Sequence, residues 1–239
     1  MNVKQCRASV TRLLNMPYAI PFIIACGQAW GADNTEVVPE VLAMGGAKSV
    51  TSFFITSRGL GNGGDLGGLA GADAHCQSLA SAEYAGDHTW RAYLSITASA
   101  DKSAVNARDR IGEGPWYNAE GLLIAANIEE LHGGDNRINK EKAATERLNP
   151  VNGVGDTPNT HDILTGSQAD GIAFTPGNER SCGNWTSSDA GRAQVGHHDR
   201  MGPGDSGSSW NSAHSSSGCS QADLERTGGA GLFYCFAID

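Results

Sequence analysis

The sequence predicts an α+β domain, and three observations carry that reading. A helical pattern comes early in the chain, short β-compatible segments come late, and glycine-rich or polar loops separate them. The chain has 239 residues, 39% of them apolar, which allows one domain with its own core; 32 glycines make that domain loop-rich.

Residues 1–31 read as an export signal, because Lys4, Arg7 and Arg12 precede the apolar stretch "LLNMPYAIPFIIAC" and the small residues of "GQAWGA" follow. Cleavage after Gly31 suits those small residues, whereas "IIAC" at 23–26 resembles a bacterial lipoprotein box in which Cys26 would be lipidated. Residues 32–50, small and polar with Pro39 and "MGGAKS", read as a linker, and the folded domain is expected over 51–239. It opens with "TSFFITS", a short apolar run bounded by turn residues and hence a buried strand. A glycine-rich loop follows. From Gly71 the pattern turns helical, with Ala72, Cys76, Leu79 and Ala80 on one face and Asp73 in the first turn, where the helix dipole favours a negative charge.

"HTWRAYLSI" alternates and predicts a strand, whereas residues 130–160 are polar and irregular and predict a surface insertion. "DILTGS", "SCGNWTSS", "SSWNS" and the closing "GLFYCFAID" are each short and β-compatible.

Charge excludes one class of partner. With 17 Lys+Arg against 26 Asp+Glu the formal charge is −9, and losing Lys4, Arg7 and Arg12 takes it to −9 − 3 = −12. No basic cluster is present to neutralise a run of phosphates, so nucleic acid is not an expected partner. No uninterrupted apolar run reaches the roughly 20 residues of a membrane helix, so the mature chain is expected to have no transmembrane span. The glycines at 59–68 lack the GK[ST] ending of a phosphate loop. "GDSGS" at 204–208 resembles the nucleophile segment of trypsin-like proteases, but the surrounding histidine and aspartate signatures are missing.

Export places the domain in an oxidising compartment, so Cys76, Cys182, Cys219 and Cys235 read as disulfides ahead of zinc ligands, and no CxxC pair argues otherwise. Four cysteines allow three connectivities. Between the second and third lies "GHHDRMGPGDSGSSWNSAH", residues 196–214, with His197, His198, His214, Asp199 and Asp205. Such residues are what metals bind and also what solvated loops contain. Neighbouring side chains in extended backbone point to opposite faces, so His197 and His198 are not expected to share an ion; one should pack and the other be solvated.

Taken in order, "GADAHCQSLA", "WRAYLS", "ILTGSQADG", "SCGNWTSS", "SSWNSAHSSSGC" and "LFYCFA" resemble the C-type lectin-like fold, in its endostatin-like and bacterial lectin-like branch. The resemblance spans residues 51–239. It implies nested disulfides, Cys76 with Cys235 and Cys182 with Cys219, and a ligand-binding loop between the inner pair. The ligand residues it implies are Asp199, Asp205, Trp210, Asn211, Ser212 and His214, with Asp199, Asp205 and Asn211 as ion ligands ahead of His197 and His198.

Calcium-dependent members use a Trp-Asn-Asp triplet, and here it reads Trp210, Asn211, Ser212. The lost carboxylate predicts weak calcium binding, in the range of about 10⁻⁴ to 10⁻³ M; zinc is the second choice of ion. Trp185 is assigned to the core, and Trp210 is expected to offer a face to a sugar ring. The function implied is a secreted, periplasmic or outer-surface-anchored protein that recognises a glycan without covalent chemistry. Two alternatives stand beside it: a structural or adhesive module that binds an envelope or surface protein through residues 130–160, and a metal-dependent or serine hydrolase.

Overall fold

The computed structural model describes residues 48–239, apart from the side chain of Asp205. The export signal, Cys26 and nearly all of the linker lie outside the described residues.

The last strand organises the sheet. β8 (Gly229–Ala237) pairs antiparallel along one edge with β1 (Phe53–Ile55), Phe54 opposite Cys235. Its other edge takes β5 (Asp162–Leu164) in parallel and β2 (Trp90–Ala92) antiparallel. Beyond β5 lie β6 (Gln194–His197) and β7 (His214–Ser215), giving the order β1-β8-β5-β6-β7. β3 (Trp116–Tyr117) and β4 (Leu123–Ala125) form a separate two-stranded ribbon. Among the described residues three right-handed α-helices accompany the strands, α1 (Gly68–Ala82), α2 (Ile128–His132) and α4 (Gln221–Thr227), with short 3-10 turns between elements. The architecture is therefore mixed α and β, with two disulfides.

The period of two in "GLFYCFA" builds two cores. Phe233, Cys235 and Ala237 face α1, where Ala72, Cys76, Leu79 and Ala80 bury the stripe predicted for them, with Trp90 and Trp185 beside them. Leu232, Tyr234 and Phe236 face the other way, onto Phe53, Ile55, Trp116, Ile163 and Trp210. Each fully buried large side chain contributes roughly 1.5–3 kcal/mol relative to exposure.

Cys76 is bonded to Cys235 and Cys182 to Cys219, which fastens α1 to β8 and ties both ends of the 182–219 segment. In the chain-entropy picture bridges closing loops of this length contribute on the order of 4–5 kcal/mol each. The glycine loop serves the inner bridge. A Cβ on Gly64 would lie 2.6 Å from Cys182 Sγ, and one on Gly63, whose φ is +56°, would run into the Cys219 carbonyl.

Four local expectations change. α1 starts at Gly68, so Asp73 falls beyond its first turn; there its carboxylate accepts from Arg110 Nη2 at 2.8 and 2.9 Å, Arg91 Nη1 at 2.7 Å and the Ala92 N–H at 2.9 Å. "SCGNW" is no strand. Cys182, Gly183, Asn184 and Trp185 all have positive φ (49°, 64°, 58° and 67°), one left-handed turn, α3 (Cys182–Trp185).

Left-handed backbone costs about 1–2 kcal/mol per non-glycine residue, so this turn needs outside support. The Cys182 bridge, the Trp185 Nε1–H bond to Ser95 O (2.8 Å) and the two bonds between the Asn184 amide and the Thr97 backbone (2.9 and 3.0 Å) supply it. "SSWNS" also forms no strand; β7 begins just after it. Residues 130–160 are irregular as expected but not a surface insertion, because Leu131, Ile138, Ala143 and Val151 are buried in the second core. Among the described residues no helix is long and apolar enough to cross a membrane.

Candidate metal centre

Strand pairing brings separated residues onto one face of the sheet. Asp162 at the start of β5 is paired with His197 at the end of β6, and His214 on β7 is paired with Val195, two residues before His197. Side chains two apart share a face, so Asp162, His197 and His214 converge. His161 immediately precedes β5, and its ring stacks on that of His197 with centroids 4.0 Å apart and planes at 11°.

The geometry centres on one oxygen. Asp162 Oδ1 lies 3.4 Å from His161 Nε2, 3.2 Å from His197 Nε2 and 3.4 Å from His214 Nε2. The opposite nitrogen of each ring faces an acceptor: Asp199 Oδ1 at 3.1 Å for His161, Gly207 O at 2.8 Å for His197, and Ser215 O at 3.1 Å for His214. Each Nδ1 therefore carries the proton of the neutral ring, and each Nε2 turns a lone pair toward the carboxylate. Four acceptors facing one another repel unless a proton or a cation lies among them.

The spacing suits a cation. Zinc bonds of about 2.0–2.2 Å place two ligands roughly 3.3–3.5 Å apart, close to the separation of the oxygen from each nitrogen. His161, Asp162 and His197 each place a donor atom within 4.8 Å of the others, a group that does not include His214. Two imidazoles and one carboxylate suit zinc or copper, whereas calcium takes six to eight oxygens. Hydrogen bonds to the rear ring nitrogens are what fixes imidazole ligands in metal sites, and both rings have one.

The side chains of His161, Asp162 and His197 are buried, and that of His214 is 39% exposed. Burial works to raise the Asp162 carboxyl, but His197 and His214, when protonated and donating from Nε2, outweigh it and hold the group below the usual carboxylate range. The same carboxylate raises His214 above an ordinary histidine. Asp199 is likewise lowered: its own burial opposes this, and the N–H groups of Val154 (2.7 Å) and Met201 (3.0 Å), with His161, prevail.

Of the residues predicted from the sequence, His197 belongs to this centre and His214 borders it through Asp162 Oδ1. Asp199 stands one step behind, orienting His161 instead of meeting an ion. His198 is buried like His197, so neither is solvated, and it turns away, with its Nε2 on Asn152 O at 3.2 Å. Asn211 is committed inside the protein: its Nδ2 donates to Tyr93 Oη (2.9 Å), Gln168 O (3.2 Å) and Ala169 O (3.1 Å), and its Oδ1, the atom an ion would use, accepts from Ser209 Oγ at 3.1 Å. Ser212 is half-buried and its hydroxyl accepts from Gln194 Nε2 at 3.3 Å.

Trp210 is 3% exposed and donates to Leu131 O at 3.0 Å, so the predicted stacking face is turned into the core. The side chain of Asp205 lies outside what is described; its backbone opens the turn Asp205–Ser208. The sequence reading did not single out His161 and Asp162. Their signal is the pair "HD" at the mouth of the apolar run "ILT", since a carboxylate on a strand buried on both faces needs a partner.

A scan against protein-family models finds no match to the chain, and a search of curated proteins finds none either. What the centre does is therefore argued from its own geometry.

Proposed function

We propose that the chain is an extracytoplasmic recognition protein of C-type lectin-like fold with a resident zinc ion held by His161, Asp162 and His197. One observation supports the metal: the buried side chains of His161, Asp162 and His197 place one donor atom each within 4.8 Å of one another, and the rear nitrogen of each ring is engaged. Zinc replaces calcium as the expected ion because nitrogen donors outnumber oxygen here.

The ion's role is structural. The three donor side chains are buried, as suits an ion that fastens strands together. It joins the end of β6 to the start of β5, and with them the start of the segment 198–213, which has little regular structure of its own. A glycan as the ligand follows from the likeness of the cysteine-bearing segments to lectin-like domains. The two disulfides are compatible with an extracytoplasmic place for the protein.

The test is metal analysis of the exported protein, followed by zinc titration of the chelated form. One zinc per chain in the parent, none in His197→Ala, and an unchanged content in His198→Gln would support the reading. A parent without zinc affinity, or a content unaltered in His197→Ala, would overturn it. A glycan array on the zinc-loaded protein tests the ligand class separately.

A further inference from the structure

The turn after β6 carries an arginine in an unfavourable backbone conformation. Arg200 has φ +57°, a region that non-glycine residues enter only when their surroundings require it. The requirement here is visible on both sides: the Arg200 N–H donates to His197 O at 3.0 Å, and the Met201 N–H donates to Asp199 Oδ1 at 3.0 Å. The turn is thus held by His197, a member of the centre, and by Asp199, which orients another.

Arg200 lines a cavity of about 250 Å³ together with His132, Gly133, Gly134, Ser208 and Ser209. In a chain with formal charge −9, no carboxylate among the described residues lines this cavity. His132 contributes no charge there. Its Nδ1 donates to Ile128 O (2.9 Å), its Nε2 then accepts from Tyr93 Oη (2.8 Å), and burial lowers its pKa. The guanidinium is the formal charge in the lining. One arm of it donates to Asn136 Oδ1 at 3.0 Å, which braces the fork beside the cavity.

Gly134 marks the open side. It has no positive φ to explain a glycine, and a Cβ built on it would meet nothing within 4 Å.

We propose that this cavity binds a small carboxylate-bearing sugar, a hexuronate, with Arg200 pairing the carboxylate and Ser209 Oγ, which donates to Asn211 Oδ1 at 3.1 Å and accepts from the Ser212 N–H at 3.0 Å, using its remaining lone pair to accept from a ring hydroxyl. A planar guanidinium matches a carboxylate in two-point geometry, and the volume suits one monosaccharide. The ligand class deepens the glycan reading above and rests on it; the cavity itself does not depend on the metal.

The experiment is calorimetry on the exported protein with sodium glucuronate, glucose and sodium acetate, on the parent and on three variants. Arg200→Gly removes the charge and accepts the positive φ; Arg200→Lys keeps the charge; Gly134→Glu adds a carboxylate at the open side without backbone strain. Glucuronate should bind the parent at least about tenfold more tightly than glucose or acetate. Arg200→Gly and Gly134→Glu should each lose about tenfold or more, and Arg200→Lys less.

Equal binding of glucose, equal binding of acetate, no glucuronate binding, or parent-like affinity in Arg200→Gly would each overturn the proposal. Zinc content read on the same samples separates the two readings. Glucuronate bound by a protein without zinc affinity overturns the metal alone, and a zinc-loaded protein blind to glucuronate overturns the cavity alone.

Discussion

His197 Nε2 lies 3.2 Å from Asp162 Oδ1 across paired strands, while its Nδ1 is occupied by Gly207 O. Without an ion and with neutral rings, this contact sets two lone pairs against each other in a buried place, and His161 and His214 repeat it. Replacing Asp162 by Asn should therefore act in opposite directions on two measurements. Zinc binding should be lost, and the metal-free protein should gain on the order of 1–2 kcal/mol at pH 8, because an amide donates where a carboxylate only accepts. Urea unfolding in chelator reads the second effect. A metal-free Asp162→Asn protein clearly weaker than the metal-free parent would mean that the carboxylate is a structural acceptor and not an ion ligand.

Asp199 reaches the centre only through His161. Asn in its place keeps the shape but weakens the acceptor for His161 Nδ1–H and for the Val154 and Met201 N–H groups. Positioning residues of this kind alter metal affinity by about 10–100-fold, so Asp199→Asn should bind zinc that much more weakly while holding one ion per chain at saturation. Competition against a chromogenic zinc chelator measures this. Loss of stoichiometry in place of affinity would make Asp199 a direct ligand.

What the sequence reveals and what it hides divide along locality. The alternation of "GLFYCFA" and the stripe Ala72, Cys76, Leu79, Ala80 are set within a few residues, and both appear in the structure as read. Trp210 is different: its Gly/Ser-rich surroundings are those of an exposed loop, yet its ring packs at 4.8 Å from Tyr93 and 5.2 Å from Tyr234. Tyr93 lies 117 positions before it, and no local pattern reports that pairing. The metal centre is hidden for the same reason. His161 and Asp162 meet His197 and His214 only through the register of β5, β6 and β7, and that register depends on the parallel pairing of β5 with β8.

The inner disulfide should matter more to the centre than the outer one. Cys182–Cys219 encloses both β6 and β7, whereas Cys76–Cys235 joins α1 to β8 on the far side of β5. Removing either pair should cost roughly 2–5 kcal/mol in denaturant unfolding. The double variant Cys182→Ala, Cys219→Ala should in addition weaken zinc, since it frees the left-handed turn that precedes β6. Equal zinc affinity in both double variants would show that the register of β6 and β7 does not need the inner bridge.

The stabilisation by zinc should rise with pH, for two reasons of the same sign. Protons compete with zinc for imidazole nitrogen, so the ion binds more tightly as pH rises. In the metal-free protein the His214 pKa is raised by Asp162, so their attraction stabilises the fold fully below 6.5 and is lost as pH rises through the higher folded value. The metal-free form weakens over the interval in which the zinc form strengthens. Asp162 does not blur the comparison, because its lowered pKa confines its own contribution to a loss at pH below the usual carboxylate range. With zinc at about 100 times its dissociation constant the gain is about 2.7 kcal/mol, which for a domain of this size is a rise in Tm of about 5–10 °C at pH 8. At pH 5.5 the rise should shrink to about 1–2 °C or vanish. Thermal melts in zinc and in chelator at pH 5.5, 6.5, 7.5 and 8 read the difference directly. A zinc-induced shift of the same size at every pH would mean that no proton competes with the ion, and imidazoles would not be its ligands.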